Sequence, residues 1–192
     1  PQRQLAAPTV KQMSVNGVNL TYVEQGQGAP LLFVHGSNAD HRLWEPQREA
    51  FATNYRFIAV DQRYFGAAPW SDNGAKFSQA TFTDDLRTFI RGLNAGPVHL
   101  IGWSLSGGTL LALAVQSPKL VKSVFVFEPV IATMVTDPAD LKAMGDDRRD
   151  MVGPTVALVK TGDHASAVRV FMDSVNEIAA DTASRCIPGS RL

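Results

Sequence analysis

The chain has 192 residues, 45% of them apolar and 19% charged, which is long enough for one domain with a real hydrophobic core and too apolar for disorder. Eighteen basic residues balance eighteen acidic ones and the isoelectric point is near 7.4, so charge gives no reason to expect nucleic acid or an acidic membrane surface as a partner. The single cysteine, Cys186, excludes an internal disulfide and a multi-cysteine zinc site, and no apolar run approaches the roughly 18 residues of a membrane span.

Pro1–Pro8 carries no basic segment followed by an apolar run, so a cytoplasmic location is expected. Val15-Asn16-Gly17-Val18 sets an Asn-Gly pair between two alternating segments. It predicts a β-hairpin with strands near Val10–Val15 and Val18–Val23. From residue 30 strand and helix alternate. Leu31–Val34, Phe57–Val60, Val98–Ile101 and Val121–Phe127 are short apolar runs, as strands buried on both faces should be. Pro46 suits the first turn of a helix reaching about Ala52. Phe82, Leu86, Phe89, Ile90 and Leu93 share one helical face, and Gly96-Pro97 ends that helix. Leu105–Gln116 is an apolar helix closed by Ser117-Pro118. This order predicts an α/β fold, a mostly parallel sheet flanked by helices. Residues 1–130 form its core, 131–182 a helical cap-like segment, and 183–192 a frayed tail without periodicity. In the cap, Asp163 suits the N-cap of a helix carrying Val168, Phe171, Met172 and Val175 on one face.

The chemistry concentrates in Val98-His99-Leu100-Ile101-Gly102-Trp103-Ser104-Leu105-Ser106-Gly107-Gly108. A buried strand enters a helix through Gly102-x-Ser104-x-Ser106-Gly107, the context of a nucleophile elbow. Small residues flanking the turn let strand and helix approach. The central serine then stands at a helix N-terminus, where free N–H groups favour a developing anion. A dinucleotide-binding turn would need glycine where Ser104 stands.

With the elbow, three further segments resemble the α/β-hydrolase superfamily, over roughly residues 12–130, one of them Val124-Phe125-Val126-Phe127-Glu128-Pro129, which is similar to the strand after its elbow helix. Phe33-Val34-His35-Gly36-Ser37 is similar to its His-Gly turn. Val60-Asp61-Gln62-Arg63-Tyr64-Phe65-Gly66 is similar to its Asp-x-Arg-Gly-x-Gly segment. Ser106 stands for the second elbow glycine and Tyr64 for another glycine. The resemblance implies a serine hydrolase of a small carboxylic ester or related acyl compound. Ser104 is the implied nucleophile, and the backbone N–H groups of Ser37 and Leu105 form the implied oxyanion hole. Epoxide hydrolases and haloalkane dehalogenases resemble this fold but use Asp as nucleophile; cofactor-free haloperoxidases share the Ser. No cofactor is implied, and no His or Cys cluster has metal-ligand spacing.

The expected order of the triad is Ser, then acid, then His. His164 is the one histidine after Ser104; His41 reads as a surface residue and His99 as a strand residue. Asp163 and His164 are the candidates for acid and base, although neighbours in sequence rarely supply both. Pro154–Lys160 reads either as a strand ending near Asp163 or as a helix with Pro154 in its first turn and Gly162 beyond its end. Glu128 reads first as a structural residue beside Pro129 and second as an acid. Trp44, Trp70, Trp103 and Phe65 read either as a pocket lining or as core. A second functional reading is therefore a truncated, catalytically weak or inactive hydrolase-fold protein that binds a ligand or a partner. Unless Pro154–Lys160 pairs with it, Val121–Phe127 is expected to be an exposed apolar edge. That predicts a homo-oligomer, by strand pairing or by a swapped segment of residues 130–192, burying above roughly 2,000 Å².

Overall fold

A computed structural model describes residues 5–131 and 134–186, with backbone alone for 176–186. Two compact units divide the chain, Pro1–Ile131 and Ala132–Leu192. The first unit is built on a six-stranded sheet. Its strands are β1 Thr9–Val15, β2 Val18–Gln25, β3 Pro30–Val34, β4 Arg56–Val60, β5 Val98–Trp103 and β6 Val121–Phe127, in the order β1-β2-β4-β3-β5-β6. The hairpin adds antiparallel to β4, and the other pairs are parallel. The Asn-Gly turn forms as expected, with Asn16 at φ 45° and Gly17 at φ 82°.

Successive residues of a strand face opposite sides. Leu32, Val34, Ile58, Val60 and Leu100 therefore meet one helical layer, made by α2 (Gln79–Leu93) and α3 (Ser106–Gln116). Leu86, Phe89, Ile90, Leu110 and Leu113 close that core, each at most 2% exposed. Side chains so buried contribute about 1.5–3 kcal/mol apiece. On the other side Leu31, Phe33, Phe57 and Ala59 pack with Ala52 of α1 (Glu45–Ala52) and with Trp44. The helix α2 starts where Ser78 accepts a hydrogen bond from the Thr81 N–H (3.1 Å). It ends at Leu93, three residues before Gly96, because Asn94 takes the left-handed cap at φ 52°.

The second unit is a helical hairpin of α4 (Pro138–Lys160) and α5 (His164–Cys186). Pro154–Lys160 is helical, which settles the choice against a strand. Pro154 does not begin a helix, however; it lies inside α4. Gly162 turns the chain at φ 84°, and Asp163 caps α5 by accepting from the Ser166 N–H (3.1 Å). The expected apolar face of α5 forms only in part: Phe171 and Val175 are half-buried, while Val168 and Met172 are exposed, and among its described residues Ala167 is the buried one. Of the expected frayed tail, 183–186 belong to α5, and 187–192 lie outside the described residues. No helix is long and apolar enough to cross a membrane among the described residues.

Candidate active site

Ser104 links β5 to α3, and its φ of 53° is left-handed. For a residue with a Cβ that conformation costs about 1–2 kcal/mol, and the surroundings hold it in place. Its N–H donates to Phe127 O (2.9 Å), and its carbonyl accepts from Gly107 N (3.0 Å) and Val130 N (3.3 Å). The turn that follows β6 thus straps the elbow. Two glycines make the approach possible. A Cβ on Gly102 would stand 2.5 Å from Leu110 Cδ1, and one on Gly107 would stand 2.5 Å from Pro129 Cβ.

Ser106 does more than stand for a small residue. It is fully buried, its Oγ accepts from Trp103 N–H (2.9 Å), and it lies 3.0 Å from Val34 O as donor. That hydroxyl ties the elbow to the end of β3, where the His35-Gly36 turn begins. Gly36 sits against the elbow: a Cβ there would meet Ser104 Cβ at 3.1 Å and Trp103 O at 3.1 Å. Ser37 comes next in the chain. Neither the Ser37 nor the Leu105 N–H has a hydrogen-bond acceptor among the described residues.

The His-Gly turn is fixed from below. His35 is buried; its Nδ1 lies 2.7 Å from Gly36 O and its Nε2 accepts from Gln62 N–H (3.1 Å). Gln62 Nε2 donates to His35 O (2.8 Å). These contacts require a neutral ring with the proton on Nδ1. Burial, the largest influence, pushes the His35 pKa below its ordinary value. The folded state therefore binds this proton less readily than the unfolded chain. Stability from this source is complete above about pH 6.5 and is lost as pH falls toward the lower folded value. Urea unfolding between pH 7.5 and 5 should show a slope of up to about 1.4 kcal/mol per pH unit. The slope should flatten in His35→Gln, and an unchanged slope in that variant would count against the assignment.

His41 is corrected from a surface residue to a partner of Asp61. Both its backbone N–H (2.7 Å) and its Nδ1 (2.8 Å) meet Asp61 Oδ1. Asp40, His41 and Asp61 bring ligand-type atoms within 4.8 Å of one another, a cluster assembled from two loops that linear spacing does not reveal. Its groups are engaged with protein: Asp40 holds Arg42, whose hydrogen bonds lower the Asp40 carboxyl to about 2. The Asp-x-Arg segment explains its glycines. Tyr64 occupies a family glycine position at φ 70°, anchored by its hydroxyl on Asp72 (2.6 Å). At Gly66 a Cβ would stand 2.7 Å from Asp61 Oδ2.

Ser104 Oγ has no hydrogen-bond partner among the described residues. Asp163 is accounted for as a helix cap; the Ser166 N–H it accepts lowers its pKa. His164 is the first residue of α5, and His99 pairs with Ser123 across two strands (2.7 Å). Glu128, at φ 47°, receives Trp103 Nε1 at 3.4 Å. Trp44 and Trp70 pack with core residues, and Phe65 packs edge-on against His35.

A family model described as alpha/beta hydrolase fold matches residues 29–187. The 2-(acetamidomethylene)succinate hydrolase of Mesorhizobium japonicum is 30% identical over 129 residues, covering 66% of this chain and 46% of that protein. The (E)-2-((N-methylformamido)methylene)succinate hydrolase of Acinetobacter baylyi is 34% identical over 109 residues, covering 57% of this chain and 41% of that protein. Among solved structures, the ligand-free epoxide hydrolase CorEH is similar with a TM-score of 0.66 and 25% identity, over 80% of this chain and 56% of that one. The matched stretch spans less than half the length of either curated relative.

Proposed function

The chain belongs to the α/β-hydrolase family, and from that premise we propose that it is built for serine-nucleophile hydrolysis of a small carboxylic ester or related acyl compound. One observation carries the reading: Ser104 is held at φ 53° between β5 and α3, with Gly36 of the His-Gly turn against its Cβ. In the proposed reaction Ser104 Oγ attacks the carbonyl carbon. The N–H groups of Ser37 and Leu105 receive the oxyanion, the alcohol leaves, and water hydrolyses the acyl-enzyme. Both curated relatives are named as hydrolases of substrates bearing an acylated nitrogen, which supports testing acyl compounds beside simple esters. A serine at the elbow speaks against the epoxide and haloalkane chemistries, which in this fold use Asp.

The second reading, a weak or inactive hydrolase-fold protein that binds a ligand or a partner, is favoured by the unpartnered Ser104 Oγ. A fluorophosphonate probe followed by peptide mass spectrometry separates the two. A phosphonylated Ser104, lost in Ser104→Ala, supports the hydrolase. No label after prolonged exposure supports the binding protein.

A further inference from the structure

Two buried polar atoms in the loop after β4 lack a protein partner. Gln62 is 2% exposed, and its Nε2 is committed to His35 O (2.8 Å). A backbone carbonyl only accepts, so the amide has one workable orientation, with Oε1 turned away from His35. Oε1 meets no donor among the described residues, and the buried Nε1–H of Trp70 meets no acceptor. Buried groups of this kind are satisfied in folded proteins by protein or by ordered water. Gln62 and Trp70 line one cavity of about 10 Å³, together with Thr21 of β2 and Asp61. That is the room one water needs, and it is too small for a larger ligand. The lining narrows the occupant further. An indole N–H donates and does not coordinate a cation. An amide oxygen and a carboxylate accept and disfavour an anion. Water can accept from Trp70 and donate to Gln62 at once. Asp61 offers a third partner: its Oδ1 takes two hydrogen bonds from His41, which leaves Oδ2 for another donor. Buried waters typically make about three hydrogen bonds.

We propose that this cavity is the binding site of a structural water, which accepts from Trp70 Nε1–H and donates to Gln62 Oε1 and Asp61 Oδ2. Every residue of the site lies between Thr21 and Trp70, within the first unit. The water joins the far part of the loop to the two residues that hold the candidate site from below: Gln62 clamps His35, and Asp61 clamps His41. It also fixes the Gln62 amide. With Oε1 satisfied in the cavity, a flipped amide would lose the bond to the water and the bond to His35 O together. The water is therefore a positioning element for the His-Gly turn.

The indole proton of Trp70 reads the site directly, without any activity at Ser104. In ¹⁵N-edited NOESY and ROESY spectra of the labelled chain, Trp70→Phe identifies its signal among the three tryptophans. A cross-peak to the water resonance, of opposite sign in the two spectra, is expected. That sign pattern marks a water held as long as the protein tumbles rather than proton exchange. The cross-peak should persist in Thr21→Val, which removes the hydroxyl side chain in the lining that could relay it. It should be lost in Gln62→Leu, with the Trp44 and Trp103 indole signals unmoved to show that the fold is retained. A wild-type chain without the cross-peak overturns the proposal, whatever the variants do: a protected indole proton would then mean a direct bond to protein. So does a cross-peak lost in Thr21→Val, or one that survives in a folded Gln62→Leu.

Discussion

Replacing Ser104 by Ala should eliminate fluorophosphonate labelling and lower hydrolysis of a short-chain nitrophenyl ester by at least about tenfold. The wild-type reference rate is itself expected to be low. Ser104 Oγ has no base within hydrogen-bonding distance among the described residues, and loss of one triad member leaves roughly 10³–10⁴-fold catalysis over water, from the oxyanion hole and binding. A kcat of about 1–10³ s⁻¹ on an unactivated ester, the ordinary enzymatic range, would show that a base acts on Ser104 after all. His164→Ala beside it would then show whether His164 supplies that base. The backbone offers a second readout. The left-handed φ of 53° costs about 1–2 kcal/mol with a side chain and almost nothing with glycine. Glycine also adds about 0.4–1 kcal/mol of unfolded-chain entropy. Ser104→Gly should therefore unfold at equal or higher urea concentration than Ser104→Ala, while both lose the label. A Gly variant clearly less stable than the Ala variant would mean that the turn is not under the strain its geometry implies.

Local sequence revealed the sheet because its signals are local. The Asn16-Gly17 turn, the four apolar strand runs and the five-residue face of α2 each specify one element without help from the rest; the burial expected on both faces holds for β3 and for Phe57–Val60 of β4 but not for β6, where Phe125 is 62% and Phe127 55% exposed. The elbow was legible for the same reason: Gly102, Ser104, Ser106 and Gly107 lie within six positions. What stayed hidden depends on residues far apart in the chain. His41 reads as a surface residue until the loop at Asp61 folds over it, 20 positions away. Ser106 reads as a small residue until its hydroxyl meets Val34, 72 positions away. Pro154 reads as a helix start because proline usually is one; its place inside α4 follows from continuous helix on both sides. The apolar stripe on α5 was legible only in part: Phe171 and Val175 are half-buried, Val168 and Met172 at the same helical spacing remain exposed, and among the described residues of α5 the small Ala167 is the buried one.

The contact with the largest effect on stability should be the ion pair of Arg63 with Asp85. Both side chains are 4% exposed. Arg63 Nε donates to Asp85 Oδ2 (2.6 Å) and Nη2 to Oδ1 (2.9 Å), while Asn16 Nδ2 donates to the same Oδ1 (2.8 Å). The pair therefore joins three separate pieces: the tip of the β1–β2 hairpin, the loop after β4, and the buried face of α2. That loop is also the one whose Gln62 holds His35 and whose Asp61 holds His41, so the ion pair supports the candidate site from a distance. Removing one member strands the other as an unpaired buried charge, which costs about 3–5 kcal/mol. Against a total stability of about 5–15 kcal/mol, that is a large share. Asp85→Ala should thus lower the melting temperature by roughly 6–20 °C. Converting both partners to apolar residues of similar size, as in Arg63→Met with Asp85→Leu, should recover most of the loss, because the desolvation penalty disappears with the charges. The contrast between single and double variants is the decisive measurement. A cost below about 1 kcal/mol for Asp85→Ala, the level of an exposed pair, would show that water reaches Arg63. A double variant no better than the single would show that Asn16 and the hairpin tip depend on the carboxylate itself rather than on neutralisation of the guanidinium.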